Sequence, residues 1–114
     1  MIRSRNKYGA KRQVYAGERY DSGLEARVAA QLDALRKAKV ASERVVEVRR
    51  QVSVPLLVNG KTVATWKVDF LVTYANGREV YLEAKGFETA DYRIKRKLFE
   101  ALYPERELRI VRGV

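Results

Sequence analysis

The sequence predicts an α/β domain in which helices cover a mixed β-sheet. Three observations support this fold class. The chain has 114 residues, the length of one compact domain. Its content of 46% hydrophobic and 33% charged residues is typical of a globular protein rather than a disordered one. Its apolar periodicity changes along the chain in the order helix, three strands, helix, strand.

The first 20 residues are predicted to form a basic arm that ends in a small hairpin. Six Lys or Arg side chains face a single acid, Glu18, in this stretch, and residues 1–11 have no apolar periodicity. Residues 13–20, with Ala16-Gly17 at their centre, favour two short strands joined by a turn. We therefore divide the chain into an arm, residues 1–20, and a single domain, residues 21–114.

A helix is predicted from Asp21 or Ser22 to about Ala38. Ser22 and Glu25 have the spacing of a capping box, which favours a helix start at this point. One apolar stripe follows at helical spacing, and it consists of Leu24, Val28, Leu32 and Leu35. Glu25 lies at the border of this stripe and not on the opposite, solvent-facing side.

Three strands are predicted after this helix. Residues 45–58 are rich in Val and form one extended segment or two, because Pro55 interrupts them. Asn59-Gly60 is a hairpin turn signal, and residues 62–74 form the next long strand. Asn76-Gly77 marks another turn, which is followed by a strand over residues 78–85.

A second helix and a short strand complete the predicted domain. Thr89 is the expected N-cap, Asp91 lies in the first turn, and Pro104 stops the helix after Tyr103. Residues 108–111 form the last strand. No apolar run reaches the roughly 20 residues that a membrane helix needs, so we expect an intracellular protein.

Charge and missing residue types restrict the function. The formal net charge is +10, from 24 Lys and Arg against 14 Asp and Glu, which indicates a polyanionic partner, most simply nucleic acid. The chain has no Cys and no His. Disulfide scaffolds, zinc fingers, thiol nucleophiles, Ser-His-Asp triads and imidazole acid–base chemistry are therefore excluded.

Two acidic residues occupy unusual positions in the predicted strands. Asp69 interrupts an apolar strand, where a buried charge is costly unless something compensates for it. Glu83 and Lys85 flank Ala84, so both project from the same face of the following strand. A two-residue turn between these strands would place Asp69 opposite Ala84. A three-residue loop, with Gly77 left-handed, places Asp69 opposite Glu83 instead.

The apolar pattern favours the three-residue loop. In that register one face carries the apolar set Val68, Phe70, Val72, Val80, Leu82 and Ala84, while Asp69 and Glu83 share the other face. Two carboxylates at cross-strand distance repel each other, so the pair predicts a bound cation. Because only oxygen ligands are present, Mg²⁺ or Mn²⁺ is the expected ion.

Glu25 is the natural third acid of this group. Its spacing from Ser22 is explained equally well by a capping box. Asp69 is also explained as a structural acid paired with a basic residue, and Glu83 with Lys85 is also explained as a surface ion pair. We favour a joint site, because a sheltered Asp, a following E-x-K and a preceding helical Glu rarely coincide by accident.

Val68-Asp69, followed by Glu83-Ala84-Lys85 and preceded by a helix that bears Glu25, resembles the PD-(D/E)xK nuclease superfamily. Val68 occupies the position of the proline that gives the motif the first letter of its name. More narrowly, residues 6–111 are similar to archaeal-type Holliday junction resolvases and to small phage endonucleases. This similarity is carried by Asn6-Lys7-Tyr8-Gly9, Tyr20-Asp21-Ser22 with Glu25-Ala26, and Lys85-Gly86-Phe87 with Thr89, Tyr92, Lys95 and Lys97. The arm before Ser22 is longer than in the archaeal enzymes.

The resemblance implies a restriction-endonuclease-like core and a role for each candidate residue. Glu25, Asp69 and Glu83 would be acidic metal-site residues, and the Ala84 carbonyl would complete the coordination. Lys85 would be the catalytic lysine. Three residues are expected to position these groups: Ser22, Gln51 and Tyr92. For Gln51 and Tyr92, ordinary strand and helix packing are the alternatives.

The resemblance also implies a substrate and a partner. The implied activity is a homodimeric, Mg²⁺-dependent Holliday junction resolvase that makes paired nicks in a four-way junction. We expect DNA contacts from basic residues of the arm and the last helix, namely Arg3, Arg5, Lys7, Lys11, Arg12, Arg93, Lys95 and Arg96. Two alternatives stay open: a nicking or restriction-type endonuclease on linear DNA, and a non-catalytic basic nucleic-acid-binding protein.

Overall fold

The computed structural model describes residues 13–15, 18–20 and 23–113. The elements in chain order are β1 (Gln13–Tyr15), β2 (Glu18–Tyr20), α1 (Gly23–Ala34), β3 (Val45–Val58), β4 (Lys61–Tyr74), β5 (Glu79–Lys85), α2 (Ala90–Leu102) and β6 (Glu107–Arg112). β1 and β2 pair as an antiparallel hairpin, and β3-β4-β5-β6 form a mixed sheet in that order. β6 is parallel to β5, and the other neighbours are antiparallel. The α/β class, the element order and the early hairpin are confirmed, whereas residues 1–12 of the predicted arm lie outside the described part.

The two helices cover opposite faces of the sheet. Adjacent residues of β5 demonstrate this arrangement: Leu82 packs in a cluster with Val28 and Leu32 of α1, and Tyr81 packs with Phe99 of α2. The Phe99 ring centroid lies 5.3 Å from that of Tyr81, in an edge-to-face arrangement. Phe99 is fully buried. The sheet is therefore a layer between two apolar clusters, and each cluster fixes one helix.

Helix α1 is shorter than predicted. It ends at Ala34, and residues Leu35–Lys37 continue as a 3₁₀ turn. Val28 and Leu32 are buried and Leu24 packs against them, as predicted. The prediction that Leu35 belongs to this stripe is wrong, because Leu35 begins the tighter turn and is 36% exposed. The predicted helix start at Asp21 or Ser22 lies outside the described residues.

Strand β3 runs without a break through Pro55. It lies at one edge of the sheet and pairs only with β4 among the described strands, so the missing N–H of Pro55 removes no central ladder bond. The predicted turn after it is confirmed by positive φ angles at Asn59 and Gly60, 52° and 78°. The predicted cap of α2 is confirmed as well, because the Thr89 hydroxyl accepts a hydrogen bond from Tyr92 N at 3.1 Å.

The loop between β4 and β5 has three residues, as the apolar pattern predicted. Tyr74 N donates to Arg78 O at 2.9 Å and closes a loop of residues 75–77. Gly77 has φ 90°, the left-handed conformation that this loop requires. The register pairs Phe70 with Leu82, and its continuation by one residue places Asp69 opposite Glu83.

The two halves of β4 pack into different clusters. Phe70 and Val72 lie in the cluster of α1 with Leu82, whereas Val68 lies in the cluster of α2 with Tyr92. The apolar pattern predicted one shared face for these residues, and along β4 that set divides between two clusters. The division falls between Val68 and Phe70, at Asp69. No helix in the described part of the chain is long and apolar enough to span a membrane.

Candidate active site

Backbone N–H groups of β4 and β5 fix the carboxylates of Asp69 and Glu83. The Glu83 carboxylate accepts from Asp69 N at 2.9 Å, and the Asp69 carboxylate accepts from Ala84 N at 2.9 Å. Side chains thus take the place of the backbone ladder beyond the Phe70–Leu82 pair. Both carboxylates are fixed between β4 and β5, so the predicted convergence of these two acids is confirmed.

The environment of Glu83 disfavours its ionised form. It is only 4% exposed. Burial and then the negative charge of Asp69 raise the pKa of Glu83 to about 8. Lys85 offsets part of this rise, since its Nζ lies 3.9 Å from Glu83 Oε2. A second positive charge beside the pair would favour ionised Glu83.

Gln51 links Asp69 to Glu25. It lies opposite Asp69, between the Arg50–Phe70 and Val52–Val68 pairs of the β3–β4 ladder. The Gln51 amide donates to Glu25 Oε2 at 3.0 Å, and its nitrogen lies 3.5 Å from Asp69 Oδ1. Gln51 has φ 53°, a strained conformation for a residue that is not glycine. The side chain therefore bridges the two acids from a backbone that departs from strand geometry.

Glu25 is buried in the first turn of α1, at 3% exposure. Arg50 Nη2 lies 3.3 Å from the same Oε2 atom that accepts from Gln51. Sequence reasoning did not identify Arg50 as a site residue. The sequence does contain an indication of its role, because Arg50 is a charged residue inside a Val-rich strand. Asp69 was identified by the same kind of irregularity.

Lys85 packs over an aromatic ring of α2. Its Nζ lies 4.5 Å from the centroid of Tyr92, which is 5% exposed. Burial and then the charge of Glu83 raise the pKa of Tyr92 to about 12. Tyr92 thus contacts the lysine, and it also packs in the α2 cluster, as its alternative interpretation held.

The other sequence-predicted residues fall into two groups. Arg93, Lys95 and Arg96 lie on α2, where Arg93 is exposed and the other two are half-buried. The remaining candidates lie outside the described residues, so the structure does not address them: Ser22, Arg3, Arg5, Lys7, Lys11 and Arg12.

The donor chemistry of the carboxylate pair fits a divalent cation. Asp69 and Glu83 are adjacent, held by short bonds from backbone N–H groups, and one of them is buried with a raised pKa. Among residues 23–113, no three acidic side chains stand close enough together to form a metal-binding group. Glu25 contacts Gln51 and Arg50, so it joins the pair through Gln51. The arrangement fits a cation on two carboxylates, with Glu25 behind them.

Comparison with known proteins gives a family. No curated protein matches the chain. Residues 5–114 match a family described as Protein of unknown function (DUF1064). Because this match covers nearly all of the 114 residues, including every described element, the chain belongs to that family.

Proposed function

We propose that the protein is a Mg²⁺-dependent endonuclease of the PD-(D/E)xK type, with a restriction-endonuclease-like core, that hydrolyses phosphodiester bonds in branched DNA. Mn²⁺ would substitute for Mg²⁺. One observation carries the proposal: backbone N–H groups fix the carboxylates of Asp69 and Glu83 between two paired strands, and the ammonium group of Lys85 lies 3.9 Å from Glu83. This is an acidic pair with an adjacent fixed cation, built without any His or Cys.

The proposed chemistry assigns a task to each residue. A divalent cation held by Asp69, Glu83 and the Ala84 carbonyl would polarise the scissile phosphate and lower the pKa of a bound water. Lys85 would orient that water and offset the negative charge that develops on the phosphate oxygens. Tyr92 limits the positions open to Lys85, because its ring packs against the ammonium group. Gln51 and Arg50 fix Glu25 behind the pair.

The proposed substrate is branched DNA, most specifically a four-way junction. The net charge of +10 supports a polyanion, and Arg93, Lys95 and Arg96 project from α2, the helix that carries Tyr92. Contacts of this kind bind phosphates without reading sequence. Paired symmetric nicks need two active sites, so we propose that the protein acts as a homodimer.

A cleavage assay on three substrates tests this proposal. Wild-type protein is incubated with a synthetic four-way junction, a linear duplex and a single strand, each with Mg²⁺ or with EDTA. We expect symmetric nicks in the junction only, and none in EDTA. Cleavage of plain duplex would favour the nicking or restriction-type alternative. Binding without cleavage, unchanged in Asp69→Ala, would favour a non-catalytic binding protein.

A further inference from the structure

One glutamate just after the proposed lysine pairs with an arginine of β6 and lies near two arginines of α2, and we call these four residues the arginine cluster. Glu88 lies in the segment between β5 and α2, and it accepts a hydrogen bond from Arg112 of β6. Its side chain is 16% exposed, although the partner arginine is 52% exposed. The hydrogen bond from Arg112 and the positive charges of Arg112, Arg96 and Arg93 hold the pKa of Glu88 below its usual range. Three guanidinium groups from two elements thus act on one carboxylate.

This cluster borders the proposed active site. Arg112 is the direct neighbour of Lys85 in the parallel β5–β6 ladder. Tyr92 connects the two groups on the other side, because its ring centroid lies 4.5 Å from Lys85 Nζ and 5.9 Å from the Arg96 guanidinium carbon. Arg112 therefore neighbours the lysine assigned to the scissile phosphate across the ladder, and Arg96 shares the Tyr92 ring with it.

The arginine cluster and the adjacent Tyr92 contain buried donors that Glu88 does not satisfy. Within residues 23–113, the Tyr92 hydroxyl and Arg96 Nε are buried without a hydrogen-bond partner. Leaving such groups unpaired is costly, which marks the place as one where an acceptor is missing. One carboxylate offers two acceptor oxygens, and one of these already takes the Arg112 bond.

We propose that Arg93, Arg96 and Arg112 form a binding site for a DNA phosphate adjacent to the scissile one, and that Glu88 occupies this site in the DNA-free protein. This inference rests on the proposed function. Guanidinium groups bind phosphate oxygens in the same planar geometry as carboxylate oxygens, so Glu88 acts as an internal substitute for the phosphate. DNA displaces Glu88, and the negative charge of Glu88 competes with DNA for the arginines.

Removal of the competing charge tests this inference. The probes are a fluorescent four-way junction and a fluorescent duplex, and their binding is measured in EDTA over a range of salt concentrations. Glu88→Gln is expected to tighten binding about tenfold, the gain of one additional charge-assisted contact to phosphate. The plot of log K against log salt is expected to steepen by about 0.9, the value for one further phosphate neutralised. Glu43→Gln is the matched control, because it makes the same charge change at an exposed position in the turn after α1.

A second variant separates the proposal from a loss of structure. In an Arg112→Gln background, the gain from Glu88→Gln is expected to shrink below about twofold, because the competing pair no longer exists. Thermal unfolding of each variant confirms that it is folded. Equal or weaker binding by Glu88→Gln would overturn the inference. Equal tightening by Glu43→Gln, or an undiminished gain in the Arg112→Gln background, would overturn it too.

The binding assay is independent of cleavage. Tighter DNA binding by Glu88→Gln in a protein that cuts no DNA would support the phosphate site and contradict the nuclease. If the protein cuts junctions but Glu88→Gln does not change its DNA affinity, the result would support the nuclease and contradict the phosphate site.

Discussion

Gln51 connects the backbone of the sheet to the candidate active site. Its φ of 53° is rare outside glycine, and its side chain contacts both Glu25 and Asp69. Val48 and Val52, on either side of it along β3, pack in different clusters. The strained backbone therefore coincides with the point where the strand changes its packing, and the amide side chain uses that geometry to join two acids.

The strain at Gln51 predicts an inverted order of stability for two variants. Gln51→Gly is expected to be more stable than Gln51→Ala by about 1 kcal/mol, because only glycine adopts a positive φ without steric cost. Both variants lose the same hydrogen bonds. Chemical denaturation measures the difference. The same pair of changes at Ser53, exposed on the same strand, is the control and should give the usual order, with Ala above Gly. Ala above Gly at position 51 would contradict the assigned backbone.

The carboxyl group of Glu83 predicts a pH-dependent stability in the metal-free protein. Its pKa is about 8 in the folded chain against 4.5 ordinarily, so between these values the folded state binds a proton that the unfolded state does not. The free energy of unfolding is therefore expected to fall as pH rises from about 4.5 through 8. Urea denaturation in EDTA measures this slope. Glu83→Gln should flatten the curve, and an unchanged slope in that variant would assign the effect to other groups.

The β4–β5 hairpin is the element that brings the acids together. Its three-residue loop sets the register, and the register places Asp69 opposite Glu83. One residue fewer in the loop would pair Asp69 with a neighbour on the other face. The position of the proposed active site thus depends on a turn at the far end of the same two strands.

The conformation of this loop predicts how much an alanine at position 77 lowers the stability of the protein. Gly77→Ala is expected to destabilise the protein by about 1 kcal/mol, because φ at this position is 90°. Gly86→Ala is the matched control. A Cβ at either position meets nothing within 4 Å, and only Gly77 has a positive φ. Thermal denaturation compares the two, and an equal effect at both positions would contradict the left-handed assignment.

The secondary-structure elements and the pairing of Asp69 with Glu83 were predictable from the sequence, but the packing around them was less so. The register was predictable because loop length and apolar alternation agreed on it. The division of β4 between two clusters was not predictable, because alternation shows which residues are apolar but not which helix covers each part of the strand, and no sequence pattern indicates the positive φ at Gln51. Leu35 was misassigned because periodicity does not show where an α-helix tightens into a 3₁₀ turn.

Contacts between distant charged residues were not predictable. Arg50 meets Glu25 across 25 positions, and Arg112 meets Glu88 across 24. Such pairs depend on how α1 packs on the sheet and on where β6 joins it. Composition and spacing show that the charges exist, but the fold selects their partners.

At the scale of the whole molecule, the predicted DNA contacts come from two separate stretches of the sequence. Residues 1–11 contribute Arg3, Arg5, Lys7 and Lys11, Arg12 follows directly, and α2 contributes Arg93, Lys95 and Arg96. A variant that lacks residues 1–11 is expected to bind DNA with a weaker salt dependence. The slope of log K against log salt should fall by up to about 3.6, which is 0.9 for each of four phosphates. An unchanged slope would show that the arm does not contact DNA.

We propose that the Asp69–Glu83 pair is a metal-dependent nuclease centre, and removal of one carboxylate tests this. The most direct measurement is the cleavage rate of a four-way junction by wild-type protein and by Asp69→Asn, in Mg²⁺, at protein concentrations that saturate the DNA. We expect the rate to fall about 10³-fold or more in Asp69→Asn, with DNA binding retained, and we expect no cleavage by either protein in EDTA. Equal rates for the two proteins, or cleavage that persists in EDTA, would contradict it.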